Sequence, residues 1–294
     1  MHVVATAGHV DHGKSTLVQA LTGSDPDRLA EEHRRGLSIE LGYCWTSLSG
    51  VGEVAFVDVP GHERFVPTML AGVGPVPAVM FVVAADDDWM PQAAEHLSAL
   101  DGLGVRHGVA VVTRADLADP SPAMRRVSAE VARTSLRDAP VLAVSAHTGS
   151  GLGGLRTALA AMLQRLPEPD RDADVRLWVD RCFSVRGAGT VVTGTLQGGT
   201  VAVGDTLAHG TDRVRVRGLQ TLGREVGRAH GVARVALRLG GGVPGELKRG
   251  SVLVTPQAWR ETDLVDVRVR GDGTPPQQPT LHIGATATGC HCRP

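Results

Sequence analysis

The chain has 294 residues, which is enough for one large domain or two domains of medium size. Hydrophobic residues make up 42% and charged residues 21%, and the net charge is −1, so the composition excludes a wholly disordered, collagen-like or coiled-coil chain. No apolar run approaches the roughly 20 residues that cross a bilayer, and no charged leader precedes an apolar stretch at the N-terminus, so we expect a cytoplasmic protein without a membrane partner.

The N-terminal half alternates between apolar strands and helix-like segments. Residues 2–8 form an apolar run that ends in Gly, and residues 15–21 have helical spacing. Further apolar runs, each followed by a polar loop and a helix-like segment, lie at 54–57, 79–85, 108–112 and 141–144. This repetition predicts an α/β domain with a mostly parallel sheet and helices on both faces, in which ligands bind at the carboxyl ends of the strands.

The pattern changes after residue 167. A charged, proline-bearing connector at 166–174 is typical of a linker between domains, so we expect the first domain to span 1–167 and the linker 168–174. Short alternating runs separated by Gly predict an antiparallel β-barrel over 175–258, with arginines at alternate positions of 213–217. Residues 259–294 hold one or two strands, too few to close a sheet, so we expect the truncated start of a third β domain.

A glycine-rich segment between the first predicted strand and helix has the pattern of a phosphate-binding loop. It reads Gly-His-Val-Asp-His-Gly-Lys-Ser from Gly8 to Ser15. Its N–H groups would converge on phosphate oxygens, Lys14 would place a charge on the β and γ phosphates, and the Ser15 hydroxyl would bind Mg²⁺. The alternative is a turn with a solvated lysine. The predicted nucleotide-binding residues here are Gly8, His9, Val10, Asp11, His12, Gly13, Lys14, Ser15 and Thr16.

A second motif follows the apolar run at 54–57. Asp58 begins the sequence Asp-Val-Pro-Gly and could reach Mg²⁺ through water, while the Gly61 N–H could sense a γ-phosphate. The next residue, His62, could orient a water for in-line attack on that phosphate. An ordinary turn and a surface histidine are the competing interpretations.

Two further motifs suggest recognition of a purine base. Thr113 and Arg114 precede Asp116, whose carboxylate could accept two hydrogen bonds from guanine N1 and N2. Adenine has no matching donors on that edge. Asp116 could instead be a helix N-cap. Ser145 and Ala146, after the run at 141–144, could offer a backbone N–H to the guanine carbonyl.

Taken in order, these motifs resemble those of translational GTPases. The loop from Gly8 to Lys14 looks like the signature of elongation factor Tu and its relatives, and residues 58–65 are similar to the second switch of that family. Residues 35–39 are similar to the first switch, where Ser38 keeps the hydroxyl of the Thr that normally binds Mg²⁺.

This resemblance implies a GTPase that uses GTP and Mg²⁺. It implies that Ser15, Ser38 and Asp58 serve the metal. It also implies that His62 is catalytic and is gated by Val10 and Leu37.

Within that family, three features resemble the selenocysteine-specific elongation factors. The first switch is short, at 24–34, Thr113 replaces the more common Asn, and residues 179–195 are similar to the start of their second domain. The resemblance implies that Asp180, Arg181 and Arg234 line a pocket for a selenocysteinyl group, and that the partners are selenocysteinyl-tRNA and the ribosome. Cationic arginines would favour an ionised selenol over serine. Solvated barrel charges are the alternative.

Two departures from the family pattern leave other functions open. Arg114 replaces the usual Lys, and the sequence stops at Pro294, before the region that reads a messenger hairpin in the family, so we expect no contact with that hairpin. One alternative is a general elongation factor Tu-like or initiation-type GTPase with another tRNA cargo. The other is a truncated nucleotide-binding module without tRNA delivery.

Overall fold

The computed structural model describes residues 1–27, 32, 34, 38–187, 189–240, 247–269 and 276–292. The chain divides into two compact units, Met1–Glu168 and Pro169–Pro294. Within the described part of the chain, no helix is long and apolar enough to span a membrane. Residues 35–37 of the predicted first switch, Leu37 among them, lie outside the described residues.

The first unit is built on a six-stranded sheet. Its strands are β1 (His2–Ala7), β2 (Gly42–Leu48), β3 (Gly52–Asp58), β4 (Ala78–Ala84), β5 (His107–Thr113) and β6 (Val141–Ala143). The order across the sheet is β2-β3-β1-β4-β5-β6, and every neighbouring pair except β2 and β3 is parallel. The mostly parallel sheet predicted from the apolar runs is confirmed.

The edge strand β2 was not among the predicted elements. It pairs antiparallel with β3 over its whole length. Cys44 and Leu48 are buried while Trp45 is 38% exposed, so β2 is only half-covered. A half-buried strand alternates between apolar and polar residues and therefore has no continuous apolar run.

Helices cover both faces of this sheet, as predicted. They are α1 (Lys14–Thr22), α2 (Val66–Val73), α3 (Pro91–Gly102), α4 (Ser121–Val131) and α5 (Leu152–Leu163). Leu17 of α1 and Leu155 of α5 share a buried core with Val4 of β1. Gly72 of α2 lies against Val57, on the opposite side of the sheet. Because both faces are buried, the loops at the strand ends are the part of this unit that is open to a ligand.

The second unit contains a closed antiparallel barrel. Its strands and short flanking pairs are β7 (Arg176–Val185), β8 (Gly189–Leu196), β9 (Thr200–Ala202), β10 (Thr206–His209), β11 (Asp212–Thr221), β12 (Arg224–Glu225), β13 (Arg228–His230), β14 (Ala233–Gly240) and β15 (Val252–Val254). Six strands run in the order β10-β15-β7-β8-β14-β11, and β11 pairs back to β10. This closure confirms the predicted barrel and removes its edges.

The segment after β15 contributes one hairpin within the described residues. Its strands are β16 (Thr280–Ile283) and β17 (Thr286–Gly289), which in the described part of the chain pair with each other and with no other strand. The Thr286 hydroxyl donates to the Gly250 carbonyl, so the hairpin contacts the loop before β15. That this segment begins a third domain stays a prediction.

Candidate functional site

A cleft of about 570 Å³ lies at the carboxyl ends of β1 and β5, and it collects most of the residues that the sequence motifs indicate. The predicted site residues that line it are Val10, Asp11, Gly13, Lys14, Ser15, Thr16, Ser38, Gly61, Thr113, Arg114, Asp116 and Ala146. Residues that the motifs did not indicate also line it, namely Asp27, Glu32, Leu117 and His147. The cleft therefore joins loops that are more than 100 residues apart in sequence.

The loop between β1 and α1 turns sharply around the cleft. Gly8 has φ 136°, and a Cβ there would overlap the Val82 carbonyl, so only glycine fits. Asp11 has φ 62°, in the left-handed region that a non-glycine residue adopts at a cost. The Gly8 N–H donates to His96 Nδ1 at 3.0 Å, which fixes the start of the turn.

Lys14 lies beneath this loop with its ammonium held by backbone. It is 5% exposed, and its Nζ donates to the His9 carbonyl at 2.7 Å. Burial lowers the pKa of Lys14 to about 8, although the nearby carboxylates of Asp58, Asp11 and Asp27 oppose the shift. A Cβ on Gly61 would overlap Lys14 Nζ, so glycine allows the segment after β3 to approach this ammonium.

The three residues predicted to serve a metal lie together. Ser15 Oγ donates to Asp58 Oδ2 at 2.6 Å and lies 3.0 Å from Ser38 Oγ. Ser38 Oγ donates in turn to Asp27 Oδ1 at 2.8 Å, which adds a carboxylate that the motifs did not indicate. Hydroxyl and carboxylate oxygens are the ligands that Mg²⁺ prefers, so this set fits the metal. In the described residues no group of three or more His, Cys, Asp and Glu forms a metal site.

Asp58 is fully buried at the end of β3. Its Oδ1 accepts from the Thr6 hydroxyl at 2.7 Å, and the same hydroxyl accepts from the Val59 N–H at 3.0 Å. Burial raises the pKa of Asp58, and the Lys14 charge with the hydrogen bonds from Ser15 and Thr6 opposes that rise. A carboxylate in this environment gains from a nearby cation. The sequence motifs did not indicate Thr6, because a Thr inside a strand reads as ordinary β structure.

The predicted base-recognition residues meet at the other end of the cleft. Asp116 is exposed, and a hydrogen bond with Ser145 lowers its pKa, so it is ionised at neutral pH. Helix α4 begins at Ser121 with Pro120 as its N-cap residue, so Asp116 is not a helix N-cap. The Ser145 N–H donates to the Ser150 carbonyl at 2.9 Å, whereas Ala146 lines the cleft.

Thr113 connects the base end of the cleft to the phosphate end. It is buried at the end of β5, and its hydroxyl donates to the His12 carbonyl at 2.7 Å. This bond holds the glycine-rich loop against β5. The hydroxyl at this position therefore has a structural role in the cleft.

His62 does not line the cleft. It precedes a short 3₁₀ turn, Glu63–Phe65, and its Nδ1 accepts from the Arg64 N–H at 3.2 Å. Its ring lies 6.0 Å from the Phe65 ring, measured between centroids. In this arrangement the ring caps a turn.

Two histidines at the glycine-rich loop are fully buried, His12 within the loop and His96 on α3 behind it. Burial lowers the pKa of His12 to about 4 and that of His96 to about 3, so both rings are neutral at pH 7. His12 Nε2 lies 3.4 Å from Asp87 Oδ2, and since the ring is neutral this contact is not a pair of full charges. The motifs indicated His12 but not His96, because a single histidine within a helix carries no signal of its own.

The residues predicted to hold an aminoacyl group lie on the barrel. Arg234 of β14 donates to both carboxylate oxygens of Asp180, and the Thr193 hydroxyl donates to Asp180 at 2.6 Å. Burial raises the pKa of Asp180, but Arg234 and these hydrogen bonds outweigh it and hold the pKa below its usual range. Arg181 follows Asp180 on β7. The structure thus brings Asp180 and Arg234 together as a buried ion pair.

Comparison with known proteins agrees with this geometry. The chain matches the elongation factor Tu GTP binding domain family over residues 1–168. It is similar to the selenocysteine-specific elongation factors of Desulfomicrobium baculatum, with 41% identity over 91% of this chain, and of Escherichia coli (strain K12), with 37% identity over 97%. The chain covers 43% and 47% of those two proteins, so it spans less than half their length.

A solved structure extends the likeness to the barrel. The crystal structure of a bacterial selenocysteine-specific elongation factor superposes on 98% of this chain with a TM-score of 0.92 and 33% identity. The superposition covers 51% of that chain. Both described units therefore have counterparts in one protein of known structure.

Proposed function

The chain belongs to the family of elongation factor Tu GTP-binding domains, and from this membership we propose that it is a GTP-hydrolysing translation elongation factor of the selenocysteine-specific kind. One observation carries the proposal: the cleft has a buried Lys14 and a set of hydroxyl and carboxylate oxygens at one end, and the ionised Asp116 at the other. This layout suits the triphosphate and the base of a guanine nucleotide.

At the phosphate end, Lys14 and the amides of the glycine-rich loop would neutralise the β and γ phosphates. The curled backbone before α1 and the N-terminus of that helix would supply these N–H groups. Ser15, Ser38 and Asp58 would hold Mg²⁺, with Asp27 as a further carboxylate. When bound, the metal would offset charge on the phosphate oxygens.

At the base end, Asp116 would accept hydrogen bonds from guanine and exclude adenine. The Ala146 N–H is the better donor of the two candidate amides, because the Ser145 N–H is already paired. Thr113 and Arg114 would hold the base end against the glycine-rich loop.

For hydrolysis, His62 would have to leave its turn and orient a water toward the γ-phosphate. Its exposed surroundings and its hydrogen bond from Arg64 suit such a movement, since only one backbone bond is lost. Gly61, close to Lys14, would sense whether the γ-phosphate is present. We propose that loss of this phosphate changes the switch segments and releases the cargo.

For the cargo, we propose that Arg181 and Arg234 favour an ionised selenocysteinyl side chain over serine. Asp180 and Thr195 hold Arg234, which fixes the orientation of its guanidinium. The C-terminal part of the chain, 168–294, has 17 basic and 13 acidic residues, which suits contact with a tRNA backbone. The work would take place in the cytoplasm, at the ribosome.

Calorimetric titration of the purified chain with GDP and GTP in magnesium buffer tests the nucleotide proposal. We expect both to bind and ADP to give no heat, and equal binding of ADP would contradict the role of Asp116. The cargo proposal has its own test: the GTP form should protect selenocysteinyl-tRNA from deacylation and leave seryl-tRNA unprotected. Equal protection would favour a carrier with another cargo.

A further inference from the structure

Two of the three acidic residues in the loop after β4 contact side chains of the first unit beside the nucleotide cleft. Both Oδ atoms of Asp86 lie 3.2 Å from Arg114 Nη1, and Asp87 lies against His12. The loops after β4 and β5 are neighbours because these strands are parallel and adjacent, and the Ala85 N–H donates to the Thr113 carbonyl at 2.9 Å. Asp86 itself does not line the cleft, whereas Arg114 does.

Arg114 binds two acceptors at once. Nη1 faces the Asp86 carboxylate, and Nη2 donates to the carbonyl of Asp11 in the glycine-rich loop. The residue has φ 55°, a left-handed conformation that sets the direction of its side chain. A planar guanidinium can make both contacts with a fixed orientation, whereas a lysine ammonium is a point charge on a flexible stem.

We propose that Asp86 is a positioning residue for the nucleotide: it fixes the Arg114 guanidinium against the glycine-rich loop and so holds the arginine in place to stack on the guanine ring. This inference rests on the proposed function, because it needs guanine nucleotide in the cleft. Arg114 would contact the base, and Asp86 would act only through Arg114. An arginine at position 114 therefore requires a carboxylate in the loop after β4 to hold its guanidinium.

The exposure of Arg114 and Asp86 predicts whether their ion pair affects nucleotide affinity or folding stability. The side chains of Arg114 and Asp86 are 36% and 28% exposed, so water weakens their attraction in the free protein and the pair contributes little to folding. A base lying over Arg114 would exclude that water and strengthen the attraction. The effect of Asp86 should therefore appear in nucleotide affinity and not in stability.

The test is a double-mutant cycle on GDP affinity, measured by calorimetry on the whole chain in magnesium buffer. We expect Asp86→Asn to raise the Kd for GDP about three- to tenfold and Asp86→Glu to restore it to within about twofold. Asp88→Asn, which neutralises an exposed acid on the same loop, should leave the Kd within about twofold of the parent value. In an Arg114→Ala background, Asp86→Asn should change the Kd by less than about twofold.

Three results would overturn the proposal. Asp86→Asn could leave the Kd unchanged, it could weaken binding by the same factor without Arg114, or it could lower the melting temperature by more than about 4 °C and so act through folding. A parent chain that binds no GDP would be a different result, because it contradicts the proposed function and removes this inference with it.

Discussion

The nucleotide cleft and the Asp180 pair of the barrel both concentrate charge, but their surroundings differ. In the cleft, Lys14 and Ser15 at the start of α1 lie near Asp58 at the end of β3, and the loop before α1 takes a left-handed turn at Asp11. In the barrel, Asp180 lies where the register of β7 against β8 shifts, Arg234 lies on β14, and the two side chains satisfy each other. The cleft is thus arranged to receive charge from a ligand, while the barrel pair is largely complete by itself.

This difference has a general physical reason. Loops at the carboxyl ends of parallel strands are free to point N–H groups and side chains at one place, because the strands beneath them supply the stability. The hydrogen-bonded wall of a closed barrel has no such cluster of end loops, so a buried carboxylate there needs a partner on a nearby strand of the wall, as Asp180 of β7 has in Arg234 of β14. Variants in the cleft should therefore lose ligand binding, whereas variants of the barrel pair should lose stability.

The largest expected effect is the loss of nucleotide binding without loss of fold. Lys14→Met keeps the aliphatic stem and removes the ammonium, so the two phosphates each lose a charge-assisted hydrogen bond worth about 2 kcal/mol. We expect the Kd for GTP to rise about 1000-fold in calorimetry. The sequence offers a matched control, since its other lysine, Lys248, is an exposed barrel residue. If Lys248→Met weakened binding as strongly, the cleft would not be the site.

The reverse behaviour is expected for the barrel. Asp180→Asn leaves the Arg234 guanidinium buried without a counter-charge, and breaking a buried pair typically costs about 3 kcal/mol. Hydrogen exchange should show lower protection of the β7, β8 and β14 amides and unchanged protection of the first unit. Asp212→Asn, on an exposed position of β11, is the control. We expect Asp180→Asn and Asp212→Asn to leave the GDP affinity unchanged, in contrast to Lys14→Met.

The sequence motifs predicted much of the arrangement of the cleft, but they did not predict the ion pair of the barrel. The glycine-rich loop and Asp116 each follow an apolar strand, so strand ends and motif spacing together predicted that they meet in one cleft. Asp58 also follows a strand, and it lies beside this cleft in contact with Ser15. The sheet and the barrel were predicted from hydrophobic periodicity alone. Such local patterns are sufficient where the functional residues lie next to a strand end.

The rest could not be predicted, because it depends on contacts between distant positions. His96 and Thr6 hold the loop and Asp58 from elements whose sequence looks structural, and the pairing of Arg234 with Asp180 depends on strand register. The role of Asp86 could likewise not be predicted, because it depends on a contact with Arg114 that exists only in the fold. A carboxylate in a loop has many possible partners, and only the fold selects one.

The two regions should also differ in their response to acid. The folded-state pKa of His96 is lowered to about 3, so below pH 6.5 the unfolded chain binds a proton that the folded chain does not, and stability falls as pH falls. This loss is about 1.4 kcal/mol per pH unit between pH 6 and 4. Asp180 has a lowered pKa, so its contribution is present above 3.8 and is lost only at lower pH.

Hydrogen exchange between pH 7 and 4, corrected for intrinsic rates, would measure this difference. Protection in the first unit should decline from pH 6.5 downward while the barrel holds. His96→Asn keeps an acceptor for the Gly8 N–H and removes the titrating group, so the slope in the first unit should decrease by about 1.4 kcal/mol per pH unit. An equal slope in this variant would show that other groups cause the decline.

The smallest expected effects come from removing one threonine hydroxyl in each region. The hydroxyl of Thr113 donates its one proton between two neutral carbonyls, chiefly that of His12, so Thr113→Val should lower the free energy of unfolding of the first unit by about 1 kcal/mol. Thr193 donates to the ionised Asp180, and a hydrogen bond to a charged group is worth more, so Thr193→Val should cost the barrel about 2 kcal/mol. Serine at either position keeps the hydroxyl and should recover part of the loss. If Thr113→Val proved the more costly change, the loop contact would depend on more than one neutral hydrogen bond, and the cleft would be held more rigidly than its exposed loops suggest.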